Sequence, residues 1–590
     1  MDDQGKEERI LKGIPASPGV AHGPAFLFLK KELEIPSYQV PEDRREEEIS
    51  RFEAAIVETR KQINTIRSEI EEKLGEDEAQ IFDAHQLVLE DRALLDETEK
   101  EVLTSGYNIE HCYHKVANRY IQAFSNIDDD YIKERVADIK DVSRRLLHNL
   151  LGQIILSLTG LIDPVVIVSE DLTPSDTANI DTEKVFGIVT DQGSRTSHAV
   201  IMARSIKVPA VVGLHNITEQ VKPGDMLIVD GYDGVVIINP SESSLFRYGK
   251  IRHERENIEK RFSSVLDFPS ITQDNVSLDI LLNVEGTEPE HVYQNSGATG
   301  VGLFRTEALF LKNEIFPTEE EQFRAYKRVV QMQPENAPVI IRTLDLGGDK
   351  NPVGGKFGYA EANPFMGFRA IRFCLEEPDV FKVQLRAILR ASAYGNIHLM
   401  LPMIVSAEEV YSAKRMIREC CDELDAKGLA YNREIKIGTM IETPAAAAIA
   451  DILAQECDFF SIGSNDMIQY LLAVDRVNDR IAHLYNPYHP AVIRTLRHVI
   501  TIARNAGIPV GICGEVAGDP VYAALLFGMG ATSISVTAAM VPEIKYLIRT
   551  MSFRDAQNLA ADVCSLVNPD EIEARMKRFY DNRMRDVLTL

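Results

Sequence analysis

The chain is short of cysteine, of uninterrupted apolar sequence and of positive charge. Its seven cysteines, at 112, 374, 420, 421, 457, 513 and 564, form no even framework and no Cys-x-x-Cys pair of metal-binding spacing. That usage points to a reducing compartment, the cytoplasm. The most apolar stretch, Leu150 to Ile162, carries Gln153, Ser157 and Thr159 and runs into Asp163-Pro164. It is too short and too polar to span a bilayer, so no membrane insertion is expected. The first residues, Met1-Asp2-Asp3-Gln4-Gly5-Lys6-Glu7-Glu8, are acidic and polar, unlike a signal peptide. Lysine and arginine number 64 against 90 acidic residues, a net charge of −26. This balance argues against nucleic acid as a partner and favours a basic protein. An anionic substrate would need a local cluster of arginines.

What is there is a change of texture along 590 residues, a length that calls for three or four structural units. Residues 13–30 hold Gly13, Pro15, Pro18, Gly19 and Gly23 before the apolar run Pro24 to Leu29, and read as turn and strand. From Pro41, Phe52, Ile56, Thr59, Ile63, Ile66 and Ile70 recur at helical spacing, and the pattern continues to about Leu151. Short strands return at Val165–Val168, Val185–Thr190, Ala210–Val212, Met226–Val229 and Val235–Ile238. The helices thus read as an insertion (35–151) in an α/β unit made of 1–34 and 152–241. The charged run 242–263 reads as a linker helix. Beyond it, eight apolar runs alternate with helix-like stretches: 277–283, 299–304, 338–344, 397–404, 435–441, 458–463, 508–513 and 532–537. That alternation predicts a TIM (β/α)8 barrel over 264–590, with its chemistry at the C-terminal ends of the strands.

In the first α/β unit, the segment Gly193-Ser194-Arg195-Thr196-Ser197-His198-Ala199 follows a strand and opens a helix. Thr196 or Ser197 can cap that helix, Gly193 lets the loop bend, and the unpaired N–H groups favour an anion beside the His198 ring. A phosphoryl group on His198 fits there, although a histidine in this position also caps or packs.

The residues at or just after the barrel runs are Asn283, Arg305, Arg342, Met403, Glu442, Asn465 with Asp466, Cys513 and Thr537, with Arg369 and Arg476 shortly downstream of other strands. Arg305, Arg342 and Arg476 are the natural clamps for phosphate and carboxylate, because a planar guanidinium matches both and stays charged. Glu442 and Asp466 offer the hard oxygens of a sparse Mg²⁺ site. Cys513, between Gly511 and Gly514, is either a small buried hydrophobe or a thiol that stays protonated below ~8.5 and delivers a proton to an enolate. Together these residues predict a site for a small phosphorylated acid.

Five segments carry a resemblance along essentially the whole chain: Gly193 to His198, Gly302-Leu303-Phe304-Arg305-Thr306-Glu307, Arg342 to Lys350, Met440-Ile441-Glu442-Thr443-Pro444 and Ser461-Ile462-Gly463-Ser464-Asn465-Asp466. In them the sequence resembles the Enzyme I family of the bacterial sugar phosphotransferase system, the phosphoenolpyruvate–protein phosphotransferases. The resemblance implies that His198 accepts the phosphoryl group of phosphoenolpyruvate on Nε2 and passes it to a histidine of the phosphocarrier protein HPr. It implies that Glu442 and Asp466 hold Mg²⁺, that Arg305, Arg342, Asn465 and Arg476 bind phosphoenolpyruvate, and that Cys513 protonates the enolate to pyruvate. It also implies a swivel of the histidine domain about the linker, docking of HPr on the inserted helices, and a homodimer formed by the barrel. Asn283, Arg369 and Asp466 are added to the substrate set from their predicted place at the mouth.

Three positions depart from the family pattern: Ser194 for a second glycine, Ser464 for threonine and Ile468 for threonine. None removes a proposed catalytic group. Pyruvate phosphate dikinase and phosphoenolpyruvate synthase share the swivelling histidine and the barrel, but carry an ATP-grasp domain for which there is no room before His198. A nitrogen-related paralogue carries a sensory domain not seen in this sequence. A non-catalytic sensor of phosphoenolpyruvate or HPr would not need every one of these groups.

Overall fold

The change of hydrophobic period near Pro41 is where the chain passes from sheet to helix. In the computed structural model, residues 8–588 are described apart from 30–32, 74–78, 80, 126–129, 154–157, 159–160, 162, 174–175, 177–179, 181–183, 194–199, 201–202, 205, 207, 286–289, 312–315, 335, 348–362, 477 and 479. They form two compact units, Met1–Arg255 and Glu256–Leu590.

In the first unit, β1 (Arg9–Lys12), β2 (Ile14–Ser17), β3 (Val20–Phe28), β4 (Val165–Ser169), β5 (Val185–Thr190), β6 (Ala210–Val212), β7 (Met226–Asp230) and β8 (Val235–Ile238) make one sheet. The order is β1-β8-β7-β3-β4-β5-β6-β2. The pairs β3–β4, β4–β5 and β5–β6 are parallel, and Val166, Ile167 and Val168 on central β4 are fully buried. Burial on both faces is why β4 reads as a continuous apolar run. The run expected from Pro24 is the second half of β3, whose first half falls in residues read as turn. β1 has no apolar face to read, since three of its four residues are exposed, and its pairing with β8 at the sheet edge makes it a strand.

The connection from β3 to its parallel neighbour β4 contains α1 (Arg45–Lys73), α2 (Ile81–Leu89), α3 (Arg92–Ser105), α4 (Ile109–Ser125) and α5 (Asp130–Leu151). The predicted stripe of α1 is its buried face: Phe52, Ile63, Ile66 and Ile70 pack with Phe82, Val102, Tyr113 and Leu146. Thr59 lies buried in that stripe because its hydroxyl donates to the Ala55 carbonyl at 2.7 Å. Asp91 caps α3 by accepting from the N–H groups of Ala93 and Leu94. On α2, Phe82 and Leu89 face inward and Leu87 is 65% exposed. The charged run from Glu242 to Ser263 is one helix, α6, and the two units divide within it.

In the second unit, β9 (Asp279–Val284), β10 (Val301–Phe304), β11 (Val339–Arg342), β12 (Ile397–Leu401), β13 (Lys436–Ile441), β14 (Phe460–Gly463), β15 (Val510–Cys513) and β16 (Ser533–Val536) close into a barrel of parallel neighbours. Each falls within or beside one of the eight apolar runs. Leu303, Ile340, Met400, Met440, Phe459 and Cys513 cluster together, and a side chain at Gly438 would collide with the Phe459 ring. The helices between strands bury one face against the outside of the barrel in a single apolar cluster. The helix Ala407–Ala426 shows how locally they are specified, with Ser406 and Glu409 forming a reciprocal capping box at its start. Among the described residues, no helix is long and apolar enough to cross a membrane, and all seven cysteines are free thiols.

Candidate active site at the mouth of the barrel

Parallel strands that close into a barrel deliver every strand end to one rim, and seven of the eight strand ends here contribute to one cavity of about 770 Å³. Asn283, Arg305, Arg342, Arg369, Glu442, Asn465, Asp466, Arg476 and Cys513 all line it, with Thr537. Met403, at the end of another run, does not. Its backbone turns to φ 58° and its N–H donates to Oε1 of Glu442 at 2.6 Å, so it contributes main chain rather than side chain.

The four arginines fall into two kinds. Arg342 and Arg369 are almost fully buried and held by carboxylates: Arg342 meets Glu307 at 2.7 Å and Asp345 at 3.0 Å, and Arg369 meets Asp345 at 2.8 Å and Asp466 at 3.3 Å. Burial works against these charges, but the surrounding carboxylates outweigh it and raise both guanidinium pKa values. Arg305 and Arg476 are more open, each 30% exposed. Arg305 pairs with Glu285, and burial together with the Arg342 charge lowers its pKa. Arg476 reaches Asp466 at 3.5 Å, while its buried Nη1 has no hydrogen-bond partner among the described residues. An anion at the mouth would satisfy that donor.

Glu442 is 2% exposed. Its carboxyl is pushed up to about 8 by burial and then by Asp466 and Asp345, with Arg342 and Arg369 opposing. Oxygen donors from Glu442 and Asp466, in a pocket rich in further carboxylate, suit a small hard cation, which would relieve the crowded negative charge. Asn465 is fixed by Glu515: its Nδ2 donates to Oε1 at 3.1 Å, and its Oδ1 accepts the Glu515 N–H at 2.9 Å. Ser464 keeps a hydroxyl role, donating to the Cys513 carbonyl at 3.2 Å, and Ile468 is fully buried. Asn283 Oδ1 accepts from Ser535 at 2.6 Å.

Cys513 lies 2% exposed with Sγ 3.3 Å from Ser461 Oγ, and burial raises its thiol pKa above the ordinary value. It is protonated at neutral pH, as a proton donor must be. His198, Ser194 and the capping residues Thr196 and Ser197 lie outside the described residues. Beside them, β5 ends at Thr190 and Gly193 takes φ 124°, the sharp bend expected of it.

Glu307, Asp345, Glu285 and Glu515 were not foreseen as parts of the site. Acidic residues near arginine read in a sequence as surface charge, and only the packing pairs them. Two signals point to a pair of them: Glu307 and Asp345 each follow the last residue of a barrel strand by three, and each lies in a segment that carries the family resemblance.

Comparison with known proteins covers most of the chain. Models described as PEP-utilising enzyme match in three parts: N-terminal over residues 12–135, mobile domain over 161–234 and PEP-binding domain over 259–553. A phosphoenolpyruvate-protein phosphotransferase of Bacillus sp. (strain S) is 42% identical over 577 residues, 97% of this chain and 98% of that protein. The chain belongs to the phosphoenolpyruvate-protein phosphotransferases. The phosphoenolpyruvate-protein phosphotransferase of Haemophilus influenzae is 40% identical over 574 residues, covering 97% of this chain and 99% of that one. A solution structure described as Enzyme I matches 42% of this chain and 99% of its own length at 41% identity, with a TM-score of 0.37. As a phosphoenolpyruvate-protein phosphotransferase, the chain has all its cavity residues inside the PEP-binding domain match and residue 198 inside the mobile domain match.

Proposed function

We propose that the chain transfers the phosphoryl group of phosphoenolpyruvate to Nε2 of His198 and then to a histidine of HPr, releasing pyruvate as the first step of a sugar phosphotransferase relay. The observation that carries this reading is the convergence of four arginines, the carboxylates of Glu442 and Asp466 and the Cys513 thiol on one cavity. In this reading Arg305, Arg342, Arg369 and Arg476 grip the anionic substrate, and Asn465 and Asn283 orient it through their amides. The imidazole attacks phosphorus, an N–P bond forms as the bridging P–O bond breaks, and the electron pair leaves on the enolate oxygen. Cys513 then gives its proton to the enolate C3, which yields pyruvate. Glu442 and Asp466 would hold Mg²⁺, which when bound draws off charge from the phosphoryl oxygens.

The same reading divides the chain by role. Residues 1–34 and 152–241 form a swivelling histidine domain, 35–151 dock HPr, 242–263 link, and 264–590 bind phosphoenolpyruvate and dimerise. Free thiols throughout fit a cytoplasmic enzyme. Leu87, exposed on α2 while Phe82 and Leu89 are buried, is an apolar side chain open to such a partner.

The two-site arrangement is tested with the full chain carrying His198→Ala. It should fail to take label from phosphoenolpyruvate yet still bind phosphoenolpyruvate with Mg²⁺. Loss of binding together with labelling would contradict a histidine separate from the substrate site.

A further inference from the structure

Asp345, in the wall of the arginine-bearing mouth, and Glu307, bonded to Arg342, have no role in the reaction just described. Asp345 and Glu307 are 2% and 3% exposed. Asp345 grips Arg369 with both oxygens, Nη2 lying 2.8 Å from Oδ1 and from Oδ2 and Nε 3.0 Å from Oδ1. Its Oδ2 also lies 3.0 Å from Nη1 of Arg342. Glu307 Oε1 accepts from Arg342 Nη2 at 2.7 Å and from the Asp345 backbone N–H at 3.1 Å.

In a site for an anion these carboxylates repel the substrate, so their charge counts against binding. What they supply is orientation. A guanidinium held along two edges cannot rotate, and its remaining donors keep one direction. Nε of Arg342 is buried with no hydrogen-bond partner among the described residues, which shows a group placed by its holders rather than by its own best bonding. Released from these grips, Arg342 and Arg369 would be drawn onto Asp466, which Arg369 already meets at 3.3 Å, and onto Glu442. They would then cover the carboxylates meant for the cation.

We propose that Asp345 and Glu307 are positioning residues for phosphoenolpyruvate: Asp345 sets the planes of Arg342 and Arg369 together, and Glu307 fixes Arg342 and the Asp345 backbone. This rests on the reading of the barrel mouth as the phosphoenolpyruvate site.

Two substitutions separate geometry from charge. Asp345→Asn removes the charge and keeps the shape, whereas Glu307→Asp keeps the charge and withdraws the carboxylate by one methylene. Each is made in the full chain carrying His198→Ala, so that ligand is not consumed, and titrated calorimetrically with phosphoenolpyruvate and Mg²⁺ beside a thermal melt. Positioning requires each variant that melts like its parent to bind phosphoenolpyruvate at least tenfold more weakly. With His198 restored, the KM for phosphoenolpyruvate should rise by the same factor. A role in charge balance alone requires tighter binding by Asp345→Asn and unchanged binding by Glu307→Asp, and either result overturns the proposal. If one variant does not fold, the other decides. A parent chain that binds no phosphoenolpyruvate sinks the reading of the mouth, and the positioning role with it.

Discussion

The carboxylate of Glu442 lies against the α-carbon of Gly463, where a methyl group would sit 2.7 Å from Oε2. The backbone of Gly463, at φ −83°, accepts alanine, so the conflict is with side chains: the Glu442 carboxylate and, at 2.9 Å each, the Glu442 Cβ and the Met440 sulfur. Gly463→Ala is expected to displace Glu442 and reduce turnover by roughly 100-fold, the scale of an ångström-size misplacement at a catalytic site. Gly249→Ala on α6 meets nothing within 4 Å and serves as the control, with turnover unchanged. Equal activities in the two variants would remove Glu442 from the chemistry.

Cys513→Ala should lower steady-state turnover by about 100-fold or more, the usual contribution of a general acid. Phosphoryl transfer to the protein should continue in a single turnover, because proton delivery follows P–O cleavage. The variant then releases enolpyruvate, detected by the lag before pyruvate appears. Pyruvate formed without a lag at the parental rate assigns the proton to another group.

His398, at the start of β12, is held to about 4 by burial and then by Lys436, with Nε2 3.1 Å from Asn396 Oδ1. The folded chain keeps it neutral, whereas the unfolded chain protonates it near ~6.5. Its contribution to stability is present above the unfolded pKa and is lost as pH falls from there through the folded value. His398→Gln abolishes that titration. The wild-type advantage in unfolding free energy should therefore shrink by roughly 3 kcal/mol between neutral pH and pH 4, read by urea unfolding of the full chain. A difference that stays constant across this window contradicts the assignment.

Lys545 is 3% exposed, and its Nζ donates to the carbonyls of Leu266 and Gly297, each at 2.6 Å. Lys545→Met fills the space but strands two acceptors, at a cost of about 2 kcal/mol. The thermal midpoint of the barrel should fall by about 3 °C, with the KM for phosphoenolpyruvate unchanged at low temperature. An unaltered midpoint would mean that other donors replace the lysine.

The barrel was legible because strands buried on both faces leave continuous apolar runs, and because a closed parallel barrel brings residues distant in sequence, such as Arg305 and Asp466, to one rim. The long stripe of α1 was legible for a similar reason, since Phe52, Ile63 and Ile70 mark its buried face. β1 was not, because edge pairing with β8 rather than an apolar face makes it a strand. Within the cavity, the residues proposed to carry the chemistry are legible by type, while the groups that hold them are not. Asp345 and Glu515 reveal their use only through distances to Arg369 and Asn465. Met403 shows the reverse error, a residue in the expected place whose side chain stays out of the cavity.

The most direct test incubates the full chain with Mg²⁺ and phosphoenolpyruvate labelled in its phosphoryl group, without ATP, then adds HPr. One acid-labile label per chain, mapped to His198, should appear and pass to HPr as pyruvate accumulates. Absence of label, label on another residue, or label that appears only with ATP would contradict transfer through His198.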